Sequence, residues 1–456
     1  MAEPGTPAAG AGRRTVAPRL AGLPADLLAG VAVAGVLLPQ VVAYAGIAGV
    51  APWHAFVATL CGLVVYAVLG GSRFAAVSPT SSAAAVFASA VASGGVALGL
   101  ALVLLTAVLF LLAAALRADF LGTFISRPVL RGFTWGLTVT IVLTQLPPLL
   151  GLHAGTHEPL PLAAELVGQL GRTHLPSLLL GAAALALWLL LRHGVRQSWL
   201  PPSLLVLALG TAWVALAGNA HGVALVGPLQ LPEWRPSLPA LPLQGWLRAA
   251  QIAPALLLIV FAESWSSVRS LALQSGESVS IRCELAALGS ANLASGLLQG
   301  LPVGAGFSAA VANQSSGARS KLAGVAAAAA LALLLWQGRA VLALMPLPVL
   351  AAVVIGILAS NLWPRPVIES LRLGGDAWLA VAAAASVLAF GVLFGMLAAV
   401  GLSLVLAVRG FSIPRVVEIA RLPGTHDFLD VAHHPSLEAP APGVLLARPE
   451  EPLFFA

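Results

Sequence analysis

Charge is what this chain has least of. Only 9% of its 456 residues are Asp, Glu, Lys or Arg, while 59% are hydrophobic. No soluble fold of this length hides that much apolar surface, so the composition excludes a water-soluble globular protein and points to a polytopic membrane protein. Cysteine is equally scarce. Cys61 and Cys283 stand far apart, which excludes a disulfide framework and a cysteine-based metal site. His153, His157 and His174 fall in expected outer loops without HExxH spacing and read as surface residues. Gly304-Ala-Gly306 lacks both a preceding strand and the full GxGxxG pattern of a phosphate loop. With no nucleophile–base pair and no metal constellation, the chain is not expected to be an enzyme or to hold a cofactor.

What is present is a series of apolar runs, and about 20 residues suffice to span a bilayer as helix. The runs lie near 26–47, 53–70, 78–92, 95–116, 129–150, 175–191, 199–217, 248–268, 284–299, 305–317, 321–336, 340–360, 375–392 and 393–409. The third opens with Val77-Ser-Pro-Thr-Ser-Ser82 and the tenth with Pro302-Val-Gly-Ala-Gly-Phe-Ser308, each the third member of a block of seven. Short, interrupted segments at matching places in two halves are the sign of an inverted-repeat transporter. The expected fold is therefore an all-α polytopic membrane protein of fourteen transmembrane segments in a 7+7 inverted repeat, with half-helices at segments 3 and 10. Residues 1–22 are Gly/Ala/Pro-rich and expected to be disordered and cytoplasmic. The repeats occupy 23–217 and 248–409, an extracytoplasmic loop of 218–247 joins them, and 410–456 form a cytoplasmic tail. The Arg13-Arg14 pair resembles an export signal only superficially, because the run that follows is full-length and lacks a cleavage site.

Basic residues supply the orientation. With the N-terminus inside, the arginines from Arg13 to Arg448 and Lys321 fall on the cytoplasmic side, except Arg172, Arg235, Arg248 and Arg339. This asymmetry obeys the positive-inside rule and puts both termini in the cytoplasm. The net charge of +6 is thus a topology signal, and no nucleic-acid partner is expected.

The polar residues that interrupt the apolar runs carry the expected chemistry. A broken helix at membrane depth survives only where it lines a cavity or is buried in protein. A half-helix starting there points its N–H groups and positive dipole end at its neighbour, which suits an anion. Ser78 is the expected N-cap of segment 3, with Pro79 at the first helical position and Thr80 beside the free N–H groups. Gly306, Phe307, Ser308 and Ala309 form the corresponding start of segment 10. Gln40 and Tyr44 are four apart and share one helix face, so an amide and a phenol face one pocket. Glu263 is the single carboxylate of the run Ile252 to Val268. A carboxylate in the bilayer is costly when charged and tends to be neutralised by a proton or a bound cation. Sodium remains an option because Ser264, Ser266 and Ser267 offer further oxygens. Gly391-Val-Leu-Phe-Gly395 reads as a helix-packing GxxxG.

Pro302, Gly306, Phe307, Ser308, Asn313, Gly317, Ala318 and Arg319 match the signature of the SulP (sulfate permease, solute carrier 26-like) family of anion transporters, which this chain resembles from about Asp26 to Arg409. Ala309 stands where that signature commonly has arginine, and Ser78 replaces its usual glycine. Pro39-Gln40 with Ala43-Tyr44, Glu263-Ser264, Glu284, Asn292 and Gln299 also fit the pattern. Glu284, near Arg282 and the cytoplasmic edge, reads as structural. The resemblance implies an anion held between segments 3 and 10, with Gln40, Tyr44, Thr80, Gly306, Phe307, Ser308 and Ala309 as the substrate site and Glu263 and Ser267 as the cation-coupling site. It further implies a scaffold of segments 5–7 and 12–14 against which the core moves, a small inorganic or organic anion as partner, a proton or sodium as coupling ion, and a homodimer in the cell membrane. Sulfate, bicarbonate, chloride and dicarboxylates all stay open as substrates. An anion channel, a voltage-responsive membrane protein and a nucleobase permease remain as alternatives. Gly443-Val-Leu-Leu-Ala447 and Pro452-Leu-Phe-Phe-Ala456 resemble the opening strands of a STAS domain, preceded by a polar linker at Leu422–Asp430. Two such strands are too few for an independent core, so the tail is expected to be poorly ordered.

Overall fold

The structure, a computed structural model, describes residues 22–118, 127–156, 158–194, 202–219, 222–228, 235–365, 367–368, 378–412, 416–422, 428–431 and 446–449. The Arg13-Arg14 pair, His157 and the expected strand Pro452–Ala456 lie outside them. The described chain is mostly helical. Its elements in order are α1 (Leu23–Ala48), α2 (Pro52–Leu69), β1 (Val77–Pro79), α3 (Ser81–Ala115), α4 (Arg127–Leu150), α5 (Pro159–Gln169), α6 (Leu175–Gly194), α7 (Pro202–Ala217), α8 (Leu243–Ser275), α9 (Ile281–Leu297), β2 (Val303–Ala305), α10 (Phe307–Ser315), α11 (Leu322–Gln337), α12 (Arg339–Ala343), α13 (Leu347–Leu362), α14 (Trp378–Ser412), β3 (Val416–Arg421), β4 (Phe428–Asp430) and β5 (Ala447–Pro449). Among the described residues, six helices are long and apolar enough to cross a membrane: α1, α2, α3, α4, α6 and α8.

The helices pack in two groups. One joins α1, α2, α3, α8, α9 and α11; the other joins α4, α6, α13 and α14. Small residues set the closest approaches, as expected where lipid supplies no hydrophobic drive between helices. A Cβ on Gly30 of α1 would lie 2.4 Å from the Cβ of Ala326 in the alanine-rich α11. A Cβ on Gly132 of α4 would lie 1.9 Å from the carbonyl oxygen of Ala380 in α14. At the start of α1, the buried Asp26 accepts the N–H groups of Arg319 (2.7 Å) and Ser320 (3.0 Å) and the Ser320 hydroxyl (2.5 Å). That carboxylate ties the first helix to the turn between α10 and α11.

Two expected breaks are present as kinks, while other boundaries differ from the sequence expectation, each for a local reason. Segments 3 and 4 are two helices that run on within α3 and are divided where Gly94 and Gly95 leave helical geometry, at the expected break between 92 and 95. Segments 13 and 14 are likewise divided within α14 by a kink at Gly391, beside the expected break between 392 and 393. The GxxxG there is not simple helix packing. Gly391 is the bend, and a Cβ on Gly395 would lie 2.4 Å from the Cα of Val387, so the second glycine lets the bent halves close. Segment 12 is split into α12 and α13, because Met345-Pro346 pairs with the connecting loop: Val226 N–H donates to the Met345 carbonyl (3.0 Å) and Leu347 N–H to that of Ala224 (2.9 Å). Helix α8 begins at Leu243, inside the stretch expected as a connecting loop. The stretch before segment 6, expected as an outer loop, contains the helix α5. In the tail, β3 pairs antiparallel with β4 and β5. The linker therefore ends in a strand; of the strand expected at 443–447, residues 443–445 lie outside the described residues, and Ala447 opens β5.

Gly95 (φ 76°, ψ 176°) and Gly391 (φ 77°, ψ 175°) occupy a backbone region open essentially to glycine alone. Neither would bring a Cβ within 4 Å of another atom, so substitution tests the backbone and not a clash. Gly95→Ala and Gly391→Ala should each cost about 1–3 kcal/mol, read as a lowered apparent melting temperature of the purified protein in detergent. An unchanged transition would mean that neighbouring helices, and not the glycine, impose the bend.

Candidate functional site

The site is organised by a two-stranded ribbon inside the helical bundle. β1 and β2 pair antiparallel, Val77 with Ala305, Ser78 with Gly304 and Pro79 with Val303. Each strand runs directly into a helix, β1 into α3 and β2 into α10. Because the strands are antiparallel, the two helices leave from opposite ends of the ribbon and their N-termini point back towards it. First-turn N–H groups have no partner within their own helix. Two positive dipole ends therefore converge on one place.

The surroundings satisfy the ribbon's outer polar groups. Asn292 of α9, completely buried, donates to the Val303 carbonyl (2.8 Å) and accepts the Val303 N–H (2.9 Å). Ala305 N–H donates to the Ser264 hydroxyl of α8 (2.8 Å), and Ser295 donates to the Leu301 carbonyl (2.6 Å). Close approach needs glycine at two points. A Cβ on Gly62 would meet the Val77 carbonyl at 2.5 Å, and one on Gly304 would meet the Ser264 hydroxyl at 2.9 Å.

Beside the ribbon lies a cavity of about 1050 Å³. Gln40, Tyr44, Thr80, Gly306, Phe307, Ser308, Glu263 and Ser267 all line it, although they come from three separate helices, α1, α8 and α10, and from the residues just ahead of α3 and α10. The Gln40 amide donates to the Ser308 hydroxyl at 3.1 Å, joining α1 to the first turn of α10. Phe307 is 51% exposed and adds an apolar ring to the lining. Ser267 sits in the lining, but its hydroxyl proton goes to the Glu263 carbonyl (2.9 Å), leaving only its lone pairs for a ligand.

Three sequence expectations change. The N-cap of α3 is Thr80, not Ser78: the Thr80 hydroxyl accepts the Ala83 N–H at 3.3 Å. Ser78 and Pro79 are taken up by the ribbon instead. Ala309 is not in the lining. On α10, Ser308, Val311, Ala312 and Ser315 face the cavity, while Ala309, Ala310 and Asn313 occupy the buried face one residue round the helix. Two residues not singled out from the sequence belong here. Ser82 donates to the Glu263 carboxylate at 2.5 Å, linking α8 to the first turn of α3. Arg192 of α6, expected only as a topology marker, lines the cavity. The Ser81-Ser82 doublet at a half-helix start was a readable signal for the first; for the second the only hint was its place four residues after Trp188. Among the described residues, no three His, Cys, Asp or Glu side chains gather as a metal site. Glu284 lies apart from the cavity, accepting the Tyr66 hydroxyl (2.7 Å) and the Gly71 N–H (2.9 Å).

Residues 23–376 match the profile of the sulfate permease family. The chain is 30% identical to a probable sulfate transporter of Mycobacterium tuberculosis over 449 residues, covering 94% of this chain and 78% of that one. It is 26% identical to the human sulfate anion transporter 1, covering 95% and 70%. Among solved structures, it resembles the murine solute carrier 26 family member A9 anion transporter in the inward-facing state, with a TM-score of 0.80 and 17% identity over 94% of this chain and 75% of that one. It also resembles the transmembrane domain of a cyanobacterial bicarbonate transporter, with a TM-score of 0.71 and 21% identity over 86% and 98%.

Asn292 is the side chain on which the ribbon most depends. Asn292→Leu removes the partners of both Val303 backbone groups, and each buried orphan costs about 1–3 kcal/mol. The variant should melt at a lower temperature and lose the arrangement of the α10 N-terminus. Asn292→Asp keeps one acceptor and should fall between the two. A leucine variant with unchanged melting would show that β2 is held by other contacts.

Proposed function

The chain belongs to the sulfate permease family, and on that premise we propose that it is a secondary active carrier that moves a small anion across a membrane by alternating access. It is a multi-pass membrane protein and a transporter, not an enzyme. The observation that carries the reading is the convergence of two helix N-termini on one cavity lined by neutral amide and hydroxyl groups. Sulfate and bicarbonate, named for its relatives, are the first substrates to test. In this reading the chain forms fourteen spans in a 7+7 inverted repeat, 23–217 and 248–409, with both termini cytoplasmic. The group containing α1, α3, α8 and α10 carries the anion past the group containing α4, α6 and α13.

Magnitudes limit what the helix ends can do. One terminus contributes about 0.3–1 kcal/mol, or ~2 kcal/mol when partly buried. Burying an unpaired ion costs several kcal/mol even after relaxation. The cavity is far larger than a small anion, so retained water supplies part of the difference. Gln40, Tyr44, Thr80, Phe307 and Ser308 supply direct contacts, and Gly306 lets the anion approach the backbone. Ser308→Leu and Thr80→Leu should each lower anion affinity while the protein stays folded and monodisperse. Unchanged affinity in both would remove this site from consideration.

The coupling ion is a proton or sodium held at Glu263, with Ser267 beside it. Support comes from the Ser82 bond, which puts the carboxylate against the same helix end that faces the anion. A negative ion at that end favours the neutralised carboxyl, and a neutralised carboxyl favours the anion; linkage makes the two effects equal. Glu263→Gln mimics the neutral state. It should retain anion binding and lose accumulation driven by a proton or sodium gradient in proteoliposomes. Continued concentrative uptake would assign coupling to another group, and gradient-independent, channel-like currents in the unsubstituted protein would favour a channel.

A further inference from the structure

The cavity has two unlike walls. One carries the half-helices, with Gln40, the Ser78–Ser82 run, Glu263 and Ser308. The facing wall comes from α4, α6 and α13 and is apolar at Phe133, Leu137, Ile141, Val354 and Leu358, with Thr134 and Thr138 as its hydroxyls. Set in this wall is Arg192, the only Lys or Arg lining the cavity among the described residues. Arg192 takes no part in the ion pair of Arg73 with Glu277, which lies elsewhere in the structure.

Arg192 is held by an aromatic post. Its guanidinium carbon lies 5.2 Å from the ring centroid of Trp188, four residues earlier on the same face of α6. Trp188 is itself 5% exposed. Its ring is seated where α13 has Gly356, and a Cβ there would come within 2.7 Å of it. Stacking restrains the guanidinium through its flat face and leaves its edge N–H donors free for an oxyanion. Arg192 also lies in the last turn of α6, where the helix dipole favours a cation. An arginine serving only the positive-inside rule needs neither a buried tryptophan seat nor a place in the lining.

We infer that Arg192 supplies the positive charge for the anion from the wall facing the half-helices, with Trp188 and Gly356 as its positioning residues. The inference rests on the anion reading of this cavity and adds a specificity-determining residue to it. The lining then holds one guanidinium and one carboxylate, Glu263. When a cation or proton neutralises Glu263, the cavity is left with a single positive charge, which a monovalent anion balances. Because Arg192 and the two half-helix N-termini stand on separate helix groups, the attraction strengthens as the two walls approach.

The test is initial-rate uptake of radiolabelled sulfate and of bicarbonate by the full chain in proteoliposomes, over a range of anion and salt concentrations. Arg192→Gln should raise KM about tenfold for whichever anion is carried, with kcat changed far less, and should flatten the salt dependence. Arg192→Lys keeps the charge but loses the flat stack and the edge donors, so its KM should fall between those of the unsubstituted protein and Arg192→Gln. Trp188→Leu should raise KM on its own but add nothing to Arg192→Gln, the mark of two residues acting as one unit. Orientation in the vesicle, read by labelling of an added terminal cysteine, should be the same in all variants. Unchanged KM in Arg192→Gln, a loss confined to kcat, or altered orientation would overturn the inference and leave the anion site standing. Absence of uptake of either anion by the unsubstituted protein would overturn the reading beneath it.

Discussion

Backbone polar groups inside a membrane must find partners within the protein, and this molecule is arranged around one place where that demand is hardest to meet. Three residues of β1 and three of β2 give up helical hydrogen bonding at the centre of an apolar bundle. They pair with each other, and Asn292, Ser264 and Ser295 meet the groups left over. The close packing of α2 and α8 on the ribbon follows from this, as does the need for Gly62 and Gly304. So does the function proposed for it. A helix interrupted at this depth exposes its first-turn N–H groups, and those groups are the part of the backbone suited to a negative ion.

The few carboxylates of the described chain show how differently a buried charge can be treated. Asp26 accepts three hydrogen bonds at the α10–α11 turn, and Glu284 accepts a tyrosine hydroxyl and a backbone N–H. Both are spent on holding segments together. Glu263 is also hydrogen-bonded, by the Ser82 and Thr80 hydroxyls, but it stands in the wall of a cavity. Its place at a cavity, and not a lack of partners, is the physical distinction between it and its structural counterparts.

The helices were largely legible because lipid enforces long apolar runs and because Gly and Pro punctuate them. The expected starts of α1, α2, α6 and α11 fall within a few residues of the observed ones. What the sequence could not display was the direction of a side chain on a short helix. Ala309 stands in the middle of the most distinctive motif, yet α10 turns it into the core, while Ser308 beside it faces the cavity. The N-cap moved from Ser78 to Thr80 because the two residues before Thr80 were claimed by a strand pairing with the other half of the chain. No local pattern announces such a pairing. Arg192 was hidden by a different ambiguity. An arginine at a cytoplasmic helix end satisfies the topology rule whether or not it also faces a cavity, so only the packing of Trp188 against α13 separates the two.

The ribbon also has a consequence for the order in which the protein is made. Gln40 and Ser308, which meet across the cavity, are 268 residues apart. β1 leaves the ribosome long before β2 exists, and until then its edge has no strand to pair with. The first half of the chain can enter the membrane as helices, but its central interruption stays open until the second half arrives. α10 is nine residues long, too short to cross a bilayer by itself. Its insertion therefore depends on docking to what is already there. Biogenesis of this fold ends with a closure joining its two halves, and a nascent chain stalled between them is the form most exposed to quality control.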